Sequence, residues 1–216
     1  MFGKITIALN ARKVGMKIYY VLGTHWDREW YEPFQEFRFW LVQNLDAILD
    51  RMKADSRLAV YHLDGQAVLL EDYLEIRPDR REELAGLLRQ RRLIAGPWYA
   101  QPDLWLVSGE SLIRNLLRGM RVVRELGSEP ARIGYAPDLF GHIAAMPMIY
   151  TGFGFIGAVV WRGLNDDQTK AQFLLEGPDG SRIPTHKLPD HAGYPWYGHR
   201  VRWPWTNAGF DPVVLI

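Results

Sequence analysis

Lys17-Ile-Tyr-Tyr-Val-Leu-Gly23, followed at once by Thr24-His-Trp-Asp-Arg-Glu-Trp30, is the stretch on which the fold turns. Its first part is a nearly continuous apolar run, the pattern of a strand buried on both faces. Such strands occur where helices cover both sides of a parallel sheet. The chain beyond Trp30 keeps that rhythm. Residues 36–52 predict a helix, with Phe37, Trp40, Leu41, Leu45, Ile48, Leu49 and Met52 on one stripe at three- and four-residue steps. Residues 57–63 predict a second strand, 80–92 a helix with Leu84, Leu87 and Leu88 on one face, and 93–98 a third strand. Ser108 can cap the next helix, and Glu110 suits its positive N-terminal end. Leu112, Ile113, Leu116, Leu117, Met120, Val123 and Leu126 form that helix's expected buried side, and Gly127 stops it. Residues 132–136 predict a fourth strand, 143–150 a short helix and 155–161 a fifth strand.

Strands that alternate with helices place the chain in the α/β class, with a parallel sheet that is open or closed into a barrel. After Arg162 the rhythm changes. Residues 172–188 read as a hairpin turning at Pro178-Asp179-Gly180. Residues 189–210, rich in Pro, Gly, Trp and Tyr, read as a long loop, and 212–216 as the start of another strand.

The composition narrows the function. The 216 residues are 48% apolar and 24% charged, ordinary for a globular domain. A net charge of +1 gives no electrostatic reason to expect nucleic acid or a membrane surface as a partner. Nine Trp supply either core volume or flat apolar platforms for sugar rings. With no Cys, any metal must be held by His, Asp or Glu. No apolar run approaches the ~20 residues that span a bilayer. Residues 1–15 are expected to be an N-terminal extension and not a signal peptide, ahead of a domain at 16–216, with a cytoplasmic location as the default.

In parallel α/β folds, ligands bind beyond the carboxyl ends of the strands. Each expected strand end here carries a polar group: His25 and Asp27, then Asp64, Gln101 and Asp103, Asp138, and Arg162. In an extended backbone, residues two apart point the same way, so His25 and Asp27 can grip one ion. Asp138 is the natural third ligand. Nitrogen plus carboxylate oxygen suits Zn²⁺ with an open position, and Mn²⁺ or Co²⁺ would also be chemically reasonable. Asp64 before Gly65, and Asp103 after Pro102, can equally serve as turn formers. His62 reads as a core histidine, and His142 as either a local cap or a support for Asp138. Trp98 and Tyr99 read as packing residues.

Thr24-His-Trp-Asp-Arg-Glu-Trp30, Leu63-Asp-Gly-Gln66, Gly96-Pro-Trp-Tyr-Ala-Gln-Pro-Asp103, Ser108-Gly-Glu-Ser-Leu-Ile-Arg-Asn115 and Tyr135-Ala-Pro-Asp-Leu-Phe-Gly-His142 occur in this order along the chain. Together they resemble the N-terminal catalytic domain of the family 38 glycoside hydrolases, the α-mannosidases. The likeness runs from about Met16 to Gly163. It implies an irregular seven-stranded parallel β/α barrel, incomplete here at its C-terminal end. It also implies a retaining α-mannosidase dependent on zinc, with a mannose-containing substrate. His25 and Asp27 match two zinc ligands. Asp138 matches the carboxylate that is both ligand and nucleophile. Trp30 and Phe140 match aromatic residues of the sugar pocket, and Arg162 an arginine beside the nucleophile. Asp64 and Asp103 join them as candidate substrate contacts.

The family's fourth zinc ligand, a downstream His, and its acid/base Asp have no matching motif here. The expectation is a chain with little activity alone, and with an open barrel edge prone to self-association. Two other readings stand beside this one. A metal-dependent carbohydrate deacetylase would use similar ligands with water as nucleophile. A non-catalytic carbohydrate-binding remnant would retain metal poorly.

Overall fold

The structure, a computed structural model, describes residues 19–190 and the backbone of a strand at 212–215. The expected extension at 1–15, and the loop containing Trp196, Trp203 and Trp205, lie outside the described residues. Strand β1 (Tyr19–Gly23) pairs in parallel with β2 (Tyr61–His62), which pairs in parallel with β3 (Leu93–Ile94). β2 and β3 are shorter than the expected 57–63 and 93–98, yet their neighbours extend the contact. Tyr61 N–H donates to the Arg92 carbonyl at 2.7 Å, Leu63 N–H donates to the Ile94 carbonyl at 2.8 Å, and Gln66 bridges Trp98.

A second sheet pairs β4 (Ile133–Ala136) with β5 (Gly157–Val160), and β5 with β7 (Arg182–Lys187), all in parallel. Its edge is β6 (Gln172–Glu176), antiparallel to β7 through the expected hairpin. The turn closes where Gly177 N–H donates to the Ser181 carbonyl at 2.8 Å. β8 (Pro212–Leu215) lies antiparallel against β1. The parallel α/β class therefore holds. The described residues form two four-stranded sheets, with the orders β3-β2-β1-β8 and β4-β5-β7-β6, and not one closed seven-stranded barrel. Between β3 and β4 the ladder is replaced by two bonds: Ala131 N–H to the Ala95 carbonyl at 3.3 Å, and Trp98 Nε1 to the Tyr135 carbonyl at 3.1 Å.

Helices α1 (Phe34–Ala54), α3 (Arg81–Arg89), α4 (Gly109–Glu125) and α5 (Met146–Gly152) lie where the periodicity predicts. Ser108 caps α4 by accepting from Ser111 N–H at 3.2 Å. Helix α2 (Val68–Ile76) has no counterpart among the expected elements. Val68, Leu69, Leu70 and Tyr73 of this helix are all buried. The expected stripes are also narrower in the fold, since Trp40, Ile113 and Leu117 stay exposed.

α4 ties the two halves together. Its Val122 and Val123 join the core of Leu45, Leu49 and Leu63, while Leu112, Leu116 and Met120 join that of Trp98, Leu139 and Tyr150. The contact is backbone to backbone at Gly119, where a Cβ would lie 2.3 Å from the Trp98 carbonyl carbon. Helix and loop meet that closely only because the glycine has no side chain. Asn115 completes the clamp: its Oδ1 accepts from Tyr99 N–H at 2.8 Å, and its Nδ2 donates to the Ala100 carbonyl at 2.7 Å. The loop after β3 is thereby held at the rim.

Candidate metal centre

β1 ends at Gly23, and the chain continues over the sheet edge with Thr24 N–H donating to the His62 carbonyl at 3.2 Å. This anchor sets the direction in which His25 and Asp27 leave the strand. Asp138 leaves from the end of β4. His25 Nε2 lies 3.4 Å from Asp27 Oδ2 and 3.2 Å from Asp138 Oδ2. One donor atom from each of the three residues falls within 4.8 Å of the others, and each residue is partly accessible. Zinc bonds of about 2.0–2.1 Å in a tetrahedron put ligand atoms roughly 3.3 Å apart. The observed spacings and the nitrogen–oxygen donor set fit a small divalent cation of that kind.

Asp64 stands behind this group. It was expected to contact substrate, but it is 1% exposed and faces His25 instead. Its Oδ2 lies 3.1 Å from His25 Nδ1, and accepts from Trp26 N–H at 2.9 Å and Gln66 Nε2 at 3.0 Å. Gln66 Nε2 also donates to the Trp26 carbonyl at 2.8 Å, and Gln101 Nε2 donates to the Asp64 carbonyl at 2.7 Å. A carboxylate on Nδ1 turns Nε2 toward a metal, the usual orienting arrangement for a ligating histidine. The backbone of Asp64 is left-handed, with φ of 49°, a conformation that Asp tolerates better than most residues. The Leu63-Asp-Gly-Gln66 motif thus positions the His25 ring.

Electrostatics reflect this crowding. Burial disfavours charge on His25, but Asp138, Asp27 and Asp64 together outweigh it and hold the imidazole well above its usual pKa. Burial also pushes the Asp64 carboxyl up, against His25, Trp26 N–H and Gln66, which favour its ionised form. Three carboxylates around one ring call for a positive charge, which a proton or a metal ion can supply.

Arg162 approaches from β5. Its Nη2 lies 2.8 Å from Asp138 Oδ1, the oxygen not turned to His25. The guanidinium sits 5.1 Å over the Phe140 ring and 4.8 Å over the Trp161 ring. Its backbone is held at both ends: Arg162 N–H donates to the Pro137 carbonyl at 3.3 Å, and His142 Nε2 lies 2.9 Å from the Arg162 carbonyl. A carbonyl only accepts, so Nε2 of His142 carries the proton. His142 therefore supports the arginine rather than capping α5.

Trp30 and Phe140 are 53% and 72% exposed, and the Phe140 ring faces the Arg162 guanidinium. Asp103 spends Oδ1 on Trp105 N–H at 3.1 Å, which is turn duty. His62 packs edge-on against Tyr135 at 4.7 Å, and burial alone lowers its pKa to about 4, as a core histidine would show. Trp98 is fully buried. Sequence reasoning did not reach Arg28. It binds Asp72 of α2 through two bonds of 2.8 and 2.9 Å, stacks 4.2 Å over Phe34, and pins the loop that carries His25 and Asp27. A pair 44 positions apart leaves no local trace.

The sequence profile described as "Glycosyl hydrolases family 38 N-terminal domain" matches residues 15–202. A putative mannosylglycerate hydrolase of Halalkalibacterium halodurans is 37% identical over 172 residues, 74% of this chain and 19% of its own length. An α-mannosidase of Saccharomyces cerevisiae is 26% identical over 183 residues, 81% of this chain and 16% of its own. Among solved structures, an α-mannosidase from Enterococcus faecalis superposes with a TM-score of 0.74 at 34% identity, covering 78% of this chain and 19% of that one. The chain thus spans about a fifth of the length of the relatives it matches.

Proposed function

This chain belongs to glycosyl hydrolase family 38, whose N-terminal domain it matches over residues 15–202, and from that footing we propose that it is the metal-binding part of a retaining α-mannosidase. The domain runs over 16–216 in this reading, and the substrate is a terminal α-mannoside. The observation that carries the reading is the meeting of His25 Nε2, Asp27 Oδ2 and Asp138 Oδ2, with Arg162 on the other oxygen of Asp138.

His25, Asp27 and Asp138 would hold the cation, for which Zn²⁺ is the first choice. When bound, it would supply Lewis-acid attraction for adjacent hydroxyls of the sugar. Trp30 and Phe140 wall the pocket with apolar faces. Arg162 holds Oδ1 of Asp138 in line and keeps positive charge beside it. The carboxylate then attacks the anomeric carbon: a bond forms from Asp138 to the sugar, the glycosidic C–O bond breaks, and the alkoxide leaves with that electron pair. Water later cleaves the glycosyl ester, returning the carboxylate and releasing the sugar with net retention. Without a general acid, a poor leaving group departs roughly 10²–10⁴-fold more slowly.

We read the two sheets as arcs of one barrel in the order β1-β2-β3-β4-β5-β7, a reading supported by the bonds that join Ala131 to Ala95 and Trp98 to Tyr135. The outer edge of β6, where Leu174 is 60% exposed, is the place to expect self-association. Among the described residues no helix is long and apolar enough to cross a membrane; a cytoplasmic location remains part of the proposal.

The test is release of phenol from an activated aryl α-mannoside, whose leaving group needs little acid help. Wild type with Zn²⁺ is expected to turn over, and to stop with chelator or with Asp138→Ala. Equal release by wild type and Asp138→Ala would remove Asp138 from the role of nucleophile.

A further inference from the structure

Trp105 is 66% exposed, an unusual place for so large a ring, and neither the core nor the metal centre uses it. It stands in the loop between β3 and α4, at the same rim as the metal centre. The chain invests in its position. Asp103 Oδ1 accepts from Trp105 N–H at 3.1 Å, and the Asp103 carbonyl accepts from Leu106 N–H at 3.2 Å, so Asp103 closes the turn from both sides. The indole then rests against Gly141, where a Cβ would lie 2.5 Å from its Nε1. Gly141 is not among the residues with positive φ, so its backbone does not require glycine. Space for Trp105 does.

Gly141 comes directly after Phe140, over which Arg162 sits, and lies three residues from Asp138. Three residues of chain span at most about 10 Å. Trp105 therefore rests against the same loop that carries Asp138 and Phe140. We propose that the exposed indole of Trp105 is the platform on which the second sugar ring, on the leaving-group side of the scissile bond, stacks. The inference rests on the mannoside reading of the same site and names a specificity determinant for it. An indole offers a flat apolar face to the C–H face of a pyranose, and its fixed position costs little further ordering on binding.

Covering one face of the ring removes enough apolar surface to change affinity by about tenfold. The experiment is calorimetric titration of the Zn²⁺-loaded chain with D-mannose and with a thio-linked α-mannobiose that resists hydrolysis. Trp105→Ala is expected to weaken the disaccharide about tenfold and to leave mannose within about twofold. Gly141→Ala, which displaces the indole without removing it, is expected to lose the same selectivity. If wild type binds both sugars and Trp105→Ala binds the disaccharide equally well, or loses both equally, the platform is refuted and the mannoside reading stands. If wild type binds neither sugar, the mannoside reading fails and this inference falls with it.

Discussion

Replacing Asp64 by Asn tests whether the charge of the buried carboxylate strengthens His25 as a metal ligand. The substitution keeps size and shape but removes the charge 3.1 Å from His25 Nδ1. The amide oxygen can still accept from Trp26 N–H, now bonded to Oδ2 at 2.9 Å, so the local fold should survive. The same oxygen can still accept from His25 Nδ1, so what is lost is the negative charge that makes the imidazole a stronger donor toward a metal ion. Changing such a partner typically costs 10–100-fold in metal affinity, or about 1.4–2.7 kcal/mol. Asp64→Ala adds a second cost. It strands the buried Trp26 N–H and one Gln66 Nε2 hydrogen, for a penalty of about 1–3 kcal/mol in stability. For a domain of this length, that lowers Tm by roughly 2–12 °C. Zn²⁺ affinity measured by competition with a chromophoric chelator, alongside Tm in excess chelator, separates the two effects. Asp64→Asn should show weakened zinc with a near-wild-type apo Tm, and Asp64→Ala should show both losses. Zinc binding by Asp64→Asn within twofold of wild type would refute a role for the charge of Asp64.

The packing sets three further outcomes. His62 is pushed from its usual 6.5 to about 4 by burial, so below pH 6.5 the unfolded chain takes up a proton that the folded chain refuses; stability should fall by up to about 3 kcal/mol between pH 6.5 and 4, a slope that urea denaturation of wild type should show and His62→Phe should lessen. Gly119→Ala would drive a Cβ to 2.3 Å from the Trp98 carbonyl carbon; a loss of about 1–3 kcal/mol in chemical denaturation is expected, and an unchanged midpoint would mean that α4 and the loop do not meet as described. Lys187, with a fully buried side chain, pairs with Asp166 at 2.5 Å and with Asp190; Lys187→Met should cost about 1–2 kcal/mol in the same denaturation assay, below the value for a wholly buried pair because both carboxylates are half exposed and remain hydrated.

Much of this molecule could be read from residue order. The strand at β1, the stripes of α1 and α4, the Ser108 cap and the hairpin at Pro178-Asp179-Gly180 arise from local periodicity and turn chemistry, which a linear sequence carries in full. His25 and Asp27 could be picked out because two residues apart on extended backbone share a side, and Asp138 because it comes just after a strand. Helix α2 is not among the elements read in this way.

The division of labour among the acidic residues needed three dimensions. Asp64, Asp103 and Asp138 all sit in turns after strands and look alike in one dimension. Folding sends Asp64 inward to His25 and Trp26, 38 positions from the latter, and spends Asp103 on Trp105; of the three, only Asp138 meets both His25 and Arg162. A carboxylate's role is set by which donors surround it and how much water remains, and neither quantity exists until distant segments have packed together.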